Sequence, residues 1–355
     1  MPHRVVGIDI GNTGIRAAEV QDPEKSNATV LRIGEIALPE GAVRDGDVQE
    51  VNNVANALRQ LWKDAGFKTK DVVFGVANHK VLARELAVPK MPIARIRESL
   101  PFQVQDLLPV PVSEALLDFY PVSEGEGEAG PVIHGLLIAA VKEPIEQKVA
   151  AARLAGLNPV GVDLVPFALS RVLLTGEAAE GTVALMDVGE VTTIVVVARD
   201  GVPSFVRIIP AGGSDVTRAL ADRLDLPIEE AERLKRMVGL VASPKAPEGL
   251  STNSYEAVLE IVFSVTSELL SGLRNTLAYF SANGGDRVQR ILLTGGAGRM
   301  PGFSAALAEL TRIDVSEGSP LGSLALARGL QDHEPETGWQ SMAVAVGLAS
   351  GGASR

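Results

Sequence analysis

The 355-residue sequence contains no cysteine, which excludes disulfide frameworks, thiolate metal sites and cysteine nucleophiles. Histidine occurs only four times, and no two histidines have the spacing of a metal-ligand pair. Basic residues are outnumbered by acidic ones, 33 to 44, so a broad surface that follows nucleic-acid phosphates is not expected. Thiol chemistry, zinc sites and nucleic-acid binding therefore have no support in the composition.

Long apolar runs are missing as well. The segments "HGLLIAAV" and "TIVVVA" are far shorter than the roughly 20 residues that span a bilayer. The opening "MPHRVVGIDIG" leads straight into a strand pattern, without the apolar stretch and cleavage site of a secretory signal. We therefore expect a cytoplasmic protein that meets a membrane only through a partner.

Two similar motifs mark the sequence. Residues 5–20, "VVGIDIGNTGIRAAEV", combine an apolar run, one aspartate, a turn of small residues and a second apolar run, and residues 183–198, "VALMDVGEVTTIVVVA", repeat this order. Aligning Asp9 with Asp187 brings the turns, the third strands and the following helices of both copies into register. The pattern predicts an α/β fold built from a duplicated βββαβ unit.

Each motif predicts a phosphate-binding turn, because small residues let a polyanion approach the backbone N–H groups. The predicted phosphate-binding residues are Gly11, Asn12, Thr13 and Gly14 in the first turn and Gly189, Thr192 and Thr193 in the second. A lone carboxylate beside phosphates repels them, so Asp9 and Asp187 are predicted to hold Mg²⁺. For either motif alone, an aspartate that caps a β-turn is the alternative, and the duplication in register favours the metal site.

A third motif, "RILLTGGAGRMPGF" at residues 290–303, predicts a buried strand, a glycine-rich turn and a helix that begins near residue 301. Glycines at such a junction expose helix N-terminal amides to a ligand. The spacing matches neither the dinucleotide-binding glycine pattern nor the Walker A loop. Alone, this motif is weak evidence for a ligand site.

The three motifs, in this order, resemble the actin-like ATPase superfamily over nearly the whole chain. The resemblance implies two phosphate loops, an adenosine loop, and ATP with Mg²⁺ as ligands. The further nucleotide-binding residues that it implies are Arg16, Glu232, Lys235, Gly295, Gly296, Ala297 and Met300. For Glu232 and Lys235, an ordinary charged helix face is the alternative.

Within that superfamily the chain is similar to the PilM family of type IV pilus assembly, a relative of the cell-division protein FtsA. An excursion leaves the first unit at about residue 82, as in both families, and "IRESLPFQVQDLLPVPVSEALLDFYPV", "AARLAGLNPVGVDLVPFALSRVL" and "FVRIIPAGGSDVTRAL" resemble the PilM pattern. The resemblance implies a scaffold that docks the cytoplasmic N-terminal tail of a PilN-like inner-membrane protein in a groove between the first subdomain and the inserted one. Other pilus assembly proteins and self-association are further expected contacts.

Two other functions remain open. An FtsA-like polymerising protein would usually carry a membrane-binding amphipathic tail, whereas "WQSMAVAVGLASGGASR" is small and almost uncharged and predicts a helix packed on the first subdomain. A small-molecule kinase of the same fold needs a catalytic base, for which the sequence offers no convincing candidate.

The patterns predict four subdomains. The predicted ranges are 1–81 with 160–180 and 339–355 for the first actin-like subdomain, 82–159 for an inserted α+β subdomain, 181–225 with 286–338 for the second actin-like subdomain, and 226–285 for a helical subdomain. Helices are predicted over residues 144–155 and 255–281.

Three residues depart from the family patterns. Glu190 follows the glycine of the second turn, where relatives commonly carry a small residue, and adds a carboxylate next to the predicted phosphates. Val165 occupies a position where PilM relatives often have glutamate, and Arg16 replaces a frequent lysine. We therefore expect ATP hydrolysis to be slow or absent while ATP binding is retained.

Overall fold

The computed structural model describes residues 3–25, 28–128, 130–241, 246–247, 249–322, 324–331, 335 and 338–351. The strands are β1 (Arg4–Ile10), β2 (Gly14–Gln21), β3 (Thr29–Ala37), β4 (Val43–Arg44), β5 (Asp47–Val48), β6 (Asp71–Val76), β7 (Val81–Pro89), β8 (Ala115–Gly127), β9 (Gly130–Val141), β10 (Asn158–Leu164), β11 (Thr182–Val188), β12 (Thr193–Arg199), β13 (Val202–Ile209), β14 (Arg290–Thr294), β15 (Asp314–Glu317) and β16 (Ala325–Leu326). The helices are α1 (Val51–Ala65), α2 (Ile93–Gln103), α3 (Lys142–Leu154), α4 (Val165–Leu173), α5 (Gly213–Leu224), α6 (Ile228–Val238), α7 (Thr252–Ala282), α8 (Phe303–Thr311) and α9 (Ala343–Ala349).

Two large mixed sheets share one topology. Their strand orders are β10-β6-β1-β2-β3-β16 and β13-β12-β11-β14-β15. In both, three antiparallel strands continue into two parallel ones, so β1-β2-β3-β6-β10 corresponds to β11-β12-β13-β14-β15. The predicted duplication of a βββαβ unit is confirmed.

The repeat is longer than the sequence patterns indicated. Helix α3 precedes β10 in the first copy, as α8 precedes β15 in the second, and Ala151 and Ala152 of α3 lie in the same core as Val54 and Leu58 of α1. Helix α3, placed by the predicted ranges in the inserted subdomain, therefore packs with the first sheet. Strand β16, predicted within the second subdomain, pairs with β3 of the first sheet.

The inserted segment forms a separate three-stranded antiparallel sheet in the order β7-β9-β8. One face packs on α2 through a core that includes Ile96, Leu100, Phe119 and Leu137. Four residues separate β6 from β7, and β9 passes directly into α3. Both chain connections to the insert are thus short.

Residues at the ends of two helices, α1 and α7, explain where these helices stop and start. Gly66 ends α1 in the left-handed conformation with φ 66°, as a C-terminal glycine is expected to do. The predicted long helix extends a few residues further at its start, where the Ser251 hydroxyl accepts a hydrogen bond from Ser254 N. In the described ranges, no helix combines the length and apolar character that crossing a membrane requires.

Helices α4 and α9 fill the space between the two large sheets. The core there combines Val5 and Ala18 of the first sheet with Leu185 of the second and Leu348 of α9. Helix α9 lies against β1, β2 and β6, and it contacts α4 closely because Gly347 carries no side chain. The two sheets are therefore joined through one continuous apolar core.

Replacing Gly347 by alanine is expected to destabilise the protein by about 3 kcal/mol, since overpacking a well-filled core distorts backbone and rotamers. The new Cβ would lie 2.1 Å from the carbonyl oxygen of Ala168 in α4. Gly272→Ala in α7 is the matched control, because a Cβ there meets no described atom within 4 Å and the change favours the helix. Denaturant unfolding of both variants measures the effect, and a stable Gly347→Ala protein would contradict the packing described.

Candidate functional site

Two β-hairpin turns face each other across the gap between the large sheets. The first turn, residues 11–14, is closed by a 2.9 Å hydrogen bond from Gly11 N to the carbonyl oxygen of Gly14, and the second turn, residues 189–192, by the equivalent 2.9 Å bond from Gly189 to Thr192. The Thr13 hydroxyl donates to Glu190 Oε2 across 3.2 Å. We call the space between the two turns the cleft.

Asp9 and Asp187 flank the cleft one residue before the ends of β1 and β11. Burial raises the pKa of Asp9, against the attraction of Arg16 and Lys148. Burial, together with repulsion from Asp9, raises the pKa of Asp187 to about 7. The two carboxylates therefore destabilise each other's charge, and a divalent cation between them and a phosphate would relieve that repulsion.

Two basic side chains balance these carboxylates. Arg16 lies opposite Asp9 in the antiparallel register, with its Nε 3.8 Å from Glu35 Oε2. Lys148 of α3 is 5% exposed and its Nζ donates to the carbonyl oxygen of Gly75, 3.0 Å away at the end of β6. Sequence patterns gave no signal for Lys148, because its position depends on how α3 returns from the insert to the first sheet.

The glycine-rich loop that follows β14 closes a second side of the site. Gly295 has φ 90°, and a Cβ there would lie 2.4 Å from the carbonyl oxygen of Val188, so this loop touches the end of β11. A Cβ on Gly213, the first residue of α5, would lie 2.7 Å from the Ala297 side chain. The loop, the second turn and the start of α5 therefore form one continuous surface.

Helix α6 places Glu232 and Lys235, the two residues predicted to bind the nucleotide, beside the start of α5. Lys235 Nζ donates to the Gly213 carbonyl oxygen at 3.1 Å and lies 2.5 Å from Glu232 Oε2. Burial raises the pKa of Glu232, but hydrogen bonds from Lys235, Thr217 and Arg236 outweigh it and lower that pKa to about 2. The charged helix face is thus folded against the start of α5.

Three buried polar atoms around the cleft lack a hydrogen-bond partner in the described structure. These atoms are Arg16 Nε, Ser214 Oγ at the start of α5, and Thr294 Oγ1. Residue Thr294 of β14 lies beside Asp187 of β11 in the strand register. Buried polar groups in folded proteins are nearly always paired, so their concentration here fits a site that binds a polar ligand. Donors and hydroxyls beside two carboxylates fit a phosphate group carried with Mg²⁺.

Comparison with known families assigns the chain. The family model for type IV pilus assembly protein PilM matches residues 7–352. The chain belongs to the PilM family.

Individual relatives agree with this assignment. A solved PilM-PilN type IV pilus biogenesis complex aligns with a TM-score of 0.82 at 25% identity, covering 99% of each chain. Cell division protein FtsA of Bacillus subtilis (strain 168) is 24% identical over 357 aligned positions, 89% of this chain and 78% of FtsA. MreB5 of Spiroplasma citri, solved with ADP, aligns with a TM-score of 0.51 at 11% identity, covering 90% of this chain and 92% of MreB5. The actin-like fold and the resemblance to PilM are confirmed.

In this PilM-family chain, several groups that were predicted to bind phosphate form hydrogen bonds within the protein instead. The Thr193 hydroxyl is fully buried and donates to the Ala211 carbonyl oxygen at 2.8 Å, so it is engaged within the protein rather than facing the cleft. The N–H groups of Gly11 and Gly189 close their own hairpins, and Asn12 Oδ1 accepts from Gly46 N at 3.0 Å. The first turn is therefore braced by the segment before β5.

The other predicted residues have different surroundings. Thr192 and Gly14 close the two turns through their carbonyl oxygens, and Gly296 is open, with no described atom within 4 Å of a Cβ built on it. Met300 packs, partly buried, against the core between the second sheet and its helices. Within the described ranges, no group of three or more acidic, histidine or cysteine side chains is arranged for a metal, so any Mg²⁺ would need phosphate oxygens and water besides Asp9 and Asp187.

Proposed function

We propose that this PilM-family protein is an ATP-binding scaffold of type IV pilus biogenesis that docks the N-terminal cytoplasmic tail of a PilN-like inner-membrane protein. The observation that carries the proposal is the pair of facing turns with Asp9 and Asp187, on a chain that aligns end to end with the PilM of a PilM-PilN complex. The protein would lie in the cytoplasm and reach the inner membrane through this partner.

The cleft is the proposed nucleotide site. Asp9 and Asp187 would hold Mg²⁺, Arg16 and Ser214 would donate to phosphate oxygens, and the loop at Gly296 would lie against the nucleoside. Bound Mg²⁺ would supply positive charge between the carboxylates and the phosphates. The ADP bound to MreB5 agrees with a nucleotide site in this fold. Ligand binding to the folded state would stabilise the closed arrangement of the two sheets.

Binding is favoured over catalysis by the residue at the start of α4. Val165 is 6% exposed, and a Cβ on Gly75 would lie 2.9 Å from its Cγ2. A buried valine offers no group that could orient an attacking water. We therefore propose ATP as a structural ligand.

An open groove on the inserted subdomain supports tail docking. Its volume is about 570 Å³, and its mainly apolar lining includes Met91, Ile93, Pro121 and Val122, with Lys90 and Glu124 as charged neighbours. Apolar pockets with a few polar groups are the usual form of a binding groove. We assign the tail to this groove.

The test is a calorimetric titration of the purified protein, with MgATP present, by a synthetic peptide of the PilN-like tail encoded in the same genome. We expect one-to-one binding with a Kd on the order of micromolar, equivalent to about −8 kcal/mol. Met91→Glu, which places a charge in the groove, is expected to weaken binding at least tenfold. Phe102→Ser, at an exposed residue of α2 outside the groove lining, is the control.

A deletion variant gives a second readout. Val81 pairs with Ala140 across β7 and β9, so an Asn-Gly turn can replace residues 82–139 while α3 is retained. This variant should lose tail binding and keep MgATP binding. Tail binding by the deletion variant, or none by the wild type with nucleotide bound, would contradict the proposal.

A further inference from the structure

A small cavity lies between the end of α7 and the turn from α8 to β15, and we call it the α7–α8 pocket. Its volume is about 200 Å³, which is less than the roughly 300 Å³ at which small-molecule sites begin. The walls include Arg274, Leu277 and Ala278 of α7, Arg287 and Val288 before β14, and Ile313 before β15. The pocket therefore has room for one side chain of a partner rather than for a whole metabolite.

The duplicated fold contains this junction twice, and in the first copy it is filled. Helix α1 directly precedes β6 as α7 directly precedes β14, and α3 and β10 correspond to α8 and β15. In the first copy, the rings of Trp62 and Phe67 pack with their centroids 4.9 Å apart. Arg59 donates there to the Leu154 carbonyl oxygen at the end of α3, 3.0 Å away. In the second copy, no aromatic side chain is among the described residues that line the junction, and a cavity remains.

The floor of the α7–α8 pocket is apolar and its rim is basic. Leu277 and Val288 are 6% and 3% exposed, and Ile313 packs, partly buried, against the same core. Arg274 and Arg287 are exposed and come from different segments of the chain. This arrangement suits an apolar side chain with acidic neighbours, because the floor takes the apolar group and the rim attracts the carboxylates.

Neither arginine is neutralised by a carboxylate within the described ranges. Arg274 donates to the uncharged Asn275 side chain at 3.2 Å, and the Arg287 guanidinium makes no hydrogen bond or ion pair with the described residues. Asp286, which precedes Arg287, is paired with Arg199 instead. Both guanidinium groups are therefore available to an incoming carboxylate.

We propose that the α7–α8 pocket docks an acidic peptide segment of a protein partner. One apolar side chain of the segment lies on the floor, and carboxylates beside it accept charge-assisted hydrogen bonds from Arg274 and Arg287. A nucleic acid is a poorer occupant, because phosphates bring no apolar group for the floor and the chain carries a net charge of −11.

The α7–α8 pocket is separate from both sites described above. It lies at the amino end of β14, next to Val288, whereas the cleft lies at the carboxyl end of this strand, beyond Thr294. The extended chain from Val288 to Thr294 spans about 20 Å. The groove on the inserted subdomain is lined by other elements. An acidic partner can therefore bind here while the nucleotide and the tail are in place.

The test is binding of the protein, with MgATP present, to an array of short peptides in which one leucine, isoleucine or phenylalanine is flanked by glutamate or aspartate in every arrangement. We expect a subset of these peptides to bind and their lysine-flanked counterparts not to bind. Arg274→Gln and Arg287→Gln should each weaken binding about fivefold, the upper end of what an exposed ion pair contributes. Arg223→Gln, at an exposed arginine of α5, is the control that should leave binding unchanged.

A further variant separates the pocket from general charge attraction. Ala278 is exposed on α7, so Ala278→Phe is expected to fold, and its ring fills the pocket without changing any charge. This variant should bind the acidic peptides at least tenfold more weakly and keep binding of the tail to the inserted subdomain.

Three outcomes would overturn this proposal and leave the proposed function intact. The first is folded wild-type protein that binds no peptide of the array, and the second is unchanged peptide binding by Arg274→Gln and Ala278→Phe. The third is self-association that Ala278→Phe abolishes, which would assign the pocket to a second copy of the chain. Failure of MgATP or of the PilN-like tail to bind would contradict only the proposed function.

Discussion

Asp187→Asn is expected to weaken Mg²⁺-dependent ATP binding at least 100-fold, about 2.7 kcal/mol, and at the same time to stabilise the nucleotide-free protein at pH 8. The first effect follows because an amide is a poor Mg²⁺ ligand. The second follows because the carboxylate is ionised at pH 8 in an environment that raises its pKa to about 7. A shift of about three pKa units corresponds to at most about 4 kcal/mol. Screening by solvent at this partly exposed residue reduces that value, so we expect the amide to stabilise the protein by about 1 to 2 kcal/mol.

The same shift fixes the direction of the pH dependence. The pKa of Asp187 rises from 3.8 to about 7 on folding, so between these values the folded state binds more protons than the unfolded state. The contribution of Asp187 to the free energy of unfolding therefore falls as pH rises from about 4 to about 7, and it is constant above that range. Magnesium nucleotide affinity should rise over the upper part of this range, because the metal binds the ionised form.

Calorimetry with ATP in Mg²⁺ and in EDTA, combined with thermal unfolding from pH 5 to pH 8, measures both effects. Asp222→Asn is the matched control, since Asp222 is an exposed residue of α5. An Asp187→Asn protein that binds MgATP like the wild type would show that this carboxylate holds no metal.

Glu190→Ser is expected to tighten ATP binding about tenfold. Glu190 accepts a hydrogen bond from the Thr13 hydroxyl across the cleft. Its negative charge adds to the charges of Asp9 and Asp187 where phosphates are proposed to bind. Two charges about 6 Å apart at an effective dielectric constant of about 40 interact by about 1.4 kcal/mol, which corresponds to the tenfold change. Serine removes this charge and leaves Thr13 free to meet the ligand.

Nucleotide titrations of Glu190→Ser at two salt concentrations measure this effect, and the gain should shrink at high salt because an exposed charge is screened. Glu24→Gln is the control, as Glu24 lies beyond the opposite end of β2 from the first turn. Weaker binding by Glu190→Ser would instead assign Glu190 a direct role in holding the metal.

The repeat and the facing turns were predictable from the sequence because they depend on local patterns. The D-x-G motifs at Asp9 and Asp187 aligned in register, and the apolar periodicity of residues 255–281 gave helix ends close to those observed for α7. Such signals reside in consecutive residues and in helical or strand periodicity.

The parts that the sequence did not reveal depend on contacts between distant segments. In the sequence, Lys148 is an ordinary lysine of an amphipathic helix, and only the contact of α3 with β6 shows that it is buried near the cleft. Strand β16 has two residues, which is too short for a recognisable strand pattern, and it is identified by its pairing with β3. The Thr193 hydroxyl points inward because Thr193 is the first residue of β12, where side-chain direction follows the register with β13. The hydrogen bonds of Asp47 with Asn78 and Lys80, and of Gly46 with Asn12, join three separate segments, so spacing along the chain gives no sign of them.

The central claim is that the cleft between the two turns binds a magnesium nucleotide, and calorimetric titration of the full-length protein with ATP tests it most directly. In Mg²⁺ we predict saturable one-to-one binding that is at least tenfold weaker in EDTA. We also expect Arg16→Ala to weaken binding in Mg²⁺, because Arg16 Nε has no hydrogen-bond partner among the described residues and can donate to a phosphate. No binding in Mg²⁺, by protein that unfolds cooperatively on heating, would contradict the account.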